Sequence, residues 1–166
     1  MFTWVALREP WQRLRGWGKP AAGLSAGTAD GAVRAYAQAV LHLLLRCEAL
    51  HNRWIEQLEE QRRSDRLANA AAIYRWYLNH LQETLARLEA PPPLASCHAA
   101  LATALATAYR ATQLLSQGYR FHNVRRICDG GVLLEDARAQ GQAIRQLLET
   151  LVSGSPAVEA GGEASA

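Results

Sequence analysis

Between Val33 and Leu58 the apolar residues recur as Val33, Tyr36, Val40, Leu43, Cys47, Leu50, Trp54 and Leu58. Steps of three and four place all of them on one side of a 3.6-residue helix, and a side that apolar must be covered. A second row, Ala37, Leu41, Leu44 and Ile55, widens the stripe beyond a coiled-coil seam, so this helix is expected to meet two neighbours. It reads as the founding helix of an all-α bundle.

The next stripe is Leu67, Ala71, Tyr74, Leu78, Leu81, Leu85 and Leu88. It lies about half a turn out of register with the projection of the first, so one straight rod would carry apolar faces on opposite sides. A reversal around Arg62 to Asp65, with Ser64 or Asp65 as the new cap, turns both faces toward one core. Pro91, Pro92 and Pro93 stop the second helix at Glu89 or Ala90 and can open the third, which runs on Leu94, Cys97, Leu101, Leu105, Ala108, Ala111 and Leu115. Gly118 weakens that helix, and Tyr119 to Cys128 reads equally well as its continuation or as an irregular corner. Asp129-Gly130-Gly131 reads as a break, with a fourth helix from about Val132 to Val152 on Leu133 or Leu134, Ala137, Gly141, Ile144, Leu148 and Leu151. The expected architecture is an antiparallel up-down-up-down four-helix bundle over residues 31–152. An amphipathic leader (1–18) and a flexible linker (19–30) precede it, and a disordered tail (153–166) follows.

A chain of 166 residues can bury a core without disulfide or metal staples. Cys47, Cys97 and Cys128 are odd in number and widely spaced, which gives no disulfide framework and suits a reducing, cytoplasmic setting. No apolar run is long enough to span a bilayer, and Arg8, Glu9 and Pro10 interrupt any signal-peptide core.

The leader holds three of the five tryptophans, Trp4, Trp11 and Trp17. With Leu7 and Leu14 they form an apolar series opposed by Arg8, Arg13 and Arg15, and Pro10 divides it into two short pieces. Arg8, Arg13, Arg15 and Lys19 face one acid, Glu9, so the whole formal excess of +3 falls in residues 1–27. Such a segment suits three roles. It could anchor in a groove of a protein partner, pack on its own bundle or a second copy, or lie at a membrane surface through residues 1–17. The binding residues expected are therefore Trp4, Leu7, Arg8, Trp11, Arg13, Leu14, Arg15 and Trp17, and the function expected is that of a non-enzymatic interaction or scaffold protein, able to self-associate.

Two alternatives involve chemistry. Glu48-x-x-His51 has the spacing of half a di-iron carboxylate site, with Glu48 and His51 as ligands. Between Pro91 and Cys128, however, there is no Asp or Glu to complete it, and no metal or other cofactor is expected. Arg-x-x-x-x-His occurs twice, as Arg46 to His51 and Arg75 to His80. That spacing resembles the signature of HEPN-family ribonucleases, also all-α bundles. The resemblance implies guanidinium contact with an RNA phosphate and proton transfer by imidazole, with Arg46, His51, Arg75 and His80 as catalytic residues. The run from Tyr119 to Arg126 interleaves aromatic and basic residues, but Arg120, Arg125 and Arg126 make a small footprint, and nucleic acid is not an expected partner.

Overall fold

The computed structural model describes residues 29–61 and 63–153. They form four helices and, among the described residues, no strand: α1 (Ala29–Glu60), α2 (Ser64–Ala86), α3 (Ala95–Arg120) and α4 (Val124–Ser153), with a 3-10 turn at Pro92–Leu94. Each helix packs on the next and α4 returns to α1, which with short links is an antiparallel four-helix bundle. No helix among the described residues is long and apolar enough to cross a membrane. The leader, most of the linker and the tail beyond Ser153 lie outside the described residues.

The stripes meet as their spacing requires. Tyr36, Val40, Leu43, Leu50 and Trp54 of α1 are buried beside Ala71, Tyr74, Leu78, Leu81 and Leu85 of α2. Leu101, Leu105, Ala111 and Leu115 of α3 and Leu134, Ala137 and Leu148 of α4 complete the core. Trp54 sits against Tyr119 with ring centroids 6.2 Å apart, tying the far ends of α1 and α3. Ser116 donates to the Ala68 carbonyl at 3.0 Å, a cross-link from α3 to α2 that satisfies a buried hydroxyl.

Three expectations about the connections need correction. α2 ends at Ala86, with the Arg87 N–H bonded back to the Thr84 and Leu85 carbonyls, and not at Glu89 or Ala90. The reversal between α1 and α2 is capped by neither Ser64 nor Asp65. The cap position is extended Arg63 (φ −103, ψ 123), without a side-chain cap bond, and its guanidinium instead grips the Asp65 carboxylate at 3.2 Å. Asp129-Gly130-Gly131, read as a break, lies inside α4, which begins at Val124 rather than Val132. The corner is only Phe121 to Asn123. His122 there adopts φ 52, Asn123 donates its N–H to the Gly118 carbonyl at 2.8 Å, and the Asn123 side chain caps α4 by accepting from Arg126 N–H at 3.0 Å.

Packing explains why the glycines do not interrupt the helix. A Cβ on Gly130 would lie 2.8 Å from Leu115 Cγ and 3.0 Å from the Ala111 carbonyl oxygen, and one on Gly118 would lie 2.7 Å from Ile127 Cγ1. Glycine at these points lets the α3 and α4 backbones touch, and the contact offsets its poor helix propensity, about 1 kcal/mol against Ala. Gly131, with nothing within 4 Å of its would-be Cβ, has no such role. Gly130→Ala is therefore expected to destabilise the bundle by about 1–2 kcal/mol through overpacking, whereas Gly131→Ala stabilises it by up to about 1 kcal/mol. Urea titrations of the two variants check this, and equal effects would contradict it.

Candidate functional site

One turn of the α1 core face is polar. Glu48 and His51 stand beside Cys47 and Leu50 there, where the second row breaks off between Leu44 and Ile55, and α4 answers with Glu135, Arg138, Gln142 and Arg145 at steps of three and four. Behind this seam is a cavity of ≈ 70 Å³. All four helices line it: Leu44, Leu78, Leu101, Leu105 and Leu134 are its apolar wall, and Glu48, His51, Arg138, Gln142 and Arg145 its polar side. The space exists because Ala104, Ala108, Ala137 and Gly141 face it with little side chain.

The polar side is nearly self-neutralised. Arg145 pairs with Glu48 across the helices and with Glu149 at 2.7 Å along α4. Arg138 stands 3.6 Å from Glu135. His51 is only 4% exposed. Its Nε2 has no hydrogen-bond partner, since the nearest charge, Glu135 Oε1, is 3.6 Å away, too far for a hydrogen bond. Burial, reinforced by the Arg138 charge and opposed by Glu135 and Glu48, holds the imidazole below its ordinary value of 6.5, so it is neutral at pH 7. Burial also pushes the neighbouring Cys47 thiol up to about 12, leaving no thiolate at the cavity.

Among the residues singled out in the sequence, the structure brings Glu48 and His51 to this cavity and leaves Arg46, Arg75 and His80 outside its lining. Arg46 and Arg75 are half-buried and His80 is exposed, so the two Arg-His pairs do not share the cavity. Glu48 is engaged by Arg145, and among the described residues no group of three or more His, Cys, Asp and Glu side chains is placed to hold a metal. Trp4, Leu7, Arg8, Trp11, Arg13, Leu14, Arg15 and Trp17 lie outside the described residues. The α4 residues of the seam were missed. Their signal was the recurrence of Glu135, Arg138, Gln142 and Arg145 at helical spacing, one polar row on a helix otherwise read for its apolar row.

Compared with protein-family models, with curated proteins and with solved structures, the chain matches none, so its chemistry must be read from its own residues.

The depressed His51 pKa makes stability depend on pH. Between that folded-state value and 6.5 the unfolded chain binds more protons, so stability rises with pH across this window and is lost on acidification. Urea midpoints measured from about pH 7.5 to about pH 5 should fall more steeply for the natural chain than for His51→Gln; parallel profiles would show that His51 is not the group responsible.

Proposed function

We propose that this protein is a non-enzymatic interaction or scaffold module, in which the bundle is the rigid body and the tryptophan- and arginine-bearing leader makes the contact with a protein partner or a second copy. The observation that supports this reading is that the core closes within residues 29–153. Trp54 and Leu81, which would need an outside cover in an incomplete bundle, are 4% and 3% exposed. In this reading the leader's aromatic residues serve as anchors, a role for which Trp beside Arg is well suited. Ribonuclease action draws no comparable support, because His51 is buried beside a neutralised seam while His80 faces solvent on α2.

Removing residues 1–18 tests this directly. The truncated chain should keep its helical circular dichroism and unfolding midpoint, and lose capture of the partner or self-association by analytical ultracentrifugation. Loss of the fold would mean that the leader belongs to the core. Binding of the full chain to anionic vesicles, absent from the truncated one, would redirect the contact to a membrane surface.

A further inference from the structure

We propose that the outer face of α2 is an interface for a second copy of this chain, the two α2 helices lying antiparallel about a two-fold axis at Trp76. This face turns away from the core row of Ala71, Tyr74, Leu78 and Leu85. On it Asn69, Ile73, Trp76, His80 and Glu83 recur at steps of four and three, and Asp65 and Arg87 extend the row by one turn at either end, all of them exposed. That spacing is the seam of two helices packed side by side. Trp76, near the midpoint of α2, is 65% exposed and Ile73 37%. An apolar centre between polar ends is the layout of an interface with its anchors in the middle and a polar rim. The Trp76 ring is already restrained, since it meets Tyr77 edge-on with centroids 4.8 Å apart, so less side-chain freedom is lost on association.

Charge names the occupant, because the row complements itself. With a copy placed antiparallel about Trp76, the two Trp76 rings meet, Ile73 lies beside the other Trp76 and His80, Asn69 stands opposite Glu83, and Asp65 stands opposite Arg87. Both ends of the seam then set a carboxylate near a guanidinium. The Asp65 carboxylate is engaged by Arg63 of its own chain at 3.2 Å, and Glu83 accepts from Asn79 at 2.8 Å. A carboxylate has about four acceptor sites, so each keeps room for a group from the second copy. Parallel pairing would instead bring Asp65 to Asp65, Glu83 to Glu83 and Arg87 to Arg87, like charge on like, and is selected against. The antiparallel pair uses the same patch on both copies and closes on itself as a dimer. It involves none of residues 1–18 and is therefore a contact separate from the leader's.

Sedimentation equilibrium of the full chain tests this. The natural chain should dimerise, and Trp76→Lys should weaken the dimer by about tenfold or more while its helical circular dichroism stays unchanged; Ile73→Lys repeats the test at a second exposed position. Asp65→Arg and Arg87→Asp should each weaken the dimer several-fold, because each sets like charges together. The two changes combined restore opposite charges across the two-fold and should recover most of the loss, which a leader-mediated dimer would not do. A natural chain still monomeric at about 1 mM, a dimer as tight in folded Trp76→Lys and Ile73→Lys as in the natural chain, or a doubly swapped chain no tighter than its single variants would each overturn the proposal. The lysine variants decide by themselves should a charge variant not fold.

Discussion

Close approach of α3 and α4 is the contact on which the arrangement of the other helices depends. At Gly130 the two backbones come so near that even a methyl group would crowd the Ala111 carbonyl, 3.0 Å from where it would sit. At the other end of the contact Gly118 meets the first turns of α4. With these two points in register, the chain can reverse within Phe121 to Asn123, and α4 leaves the corner already capped and aimed down the length of α3. That direction carries Leu134, Ala137 and Leu148 into the core and turns the Glu135–Arg145 row toward α1.

The seam between α1 and α4 comes at an energetic cost. A buried polar atom without a partner is worth about 1–3 kcal/mol against folding, close to what one fully buried leucine contributes, about 1.5–3 kcal/mol. The bundle tolerates it because the same α1 face also buries Tyr36, Val40, Leu43, Leu50 and Trp54. The ion pairs over the cavity do little to offset that cost, since partly exposed pairs contribute about 0–1 kcal/mol. They leave the polar side close to neutral, while His51 Nε2 stays buried without a partner.

Much of this architecture was legible in the residue pattern, because four apolar stripes of helical period and the slip between Leu58 and Leu67 are local records of which sides must be buried. The reversal before Ser64 follows from the same local physics, whereas α2 ends at Ala86, before the prolines could stop it. Gly130 was misread for an equally physical reason. Isolated propensity treats glycine as a breaker, and only the opposing Ala111 and Leu115, known from the packing, show that a missing Cβ is what the interface needs. His51 stood out through its spacing from Glu48, yet its real surroundings, Glu135, Arg138 and Arg145, lie more than eighty residues away on α4 and come together only when α4 folds back on α1.

Native-state hydrogen exchange of the full chain, followed residue by residue, tests the single shared core most directly. If the four stripes form one cooperative unit, the amides of Val40, Leu78, Leu105 and Gly130 exchange only through global unfolding and report the same free energy, equal to that from denaturant titration. If α1 is instead a loosely attached rod, or α4 is interrupted at its paired glycines, Val40 or Gly130 will exchange through a separate, lower-energy opening, and the account of a closed four-helix core will be wrong.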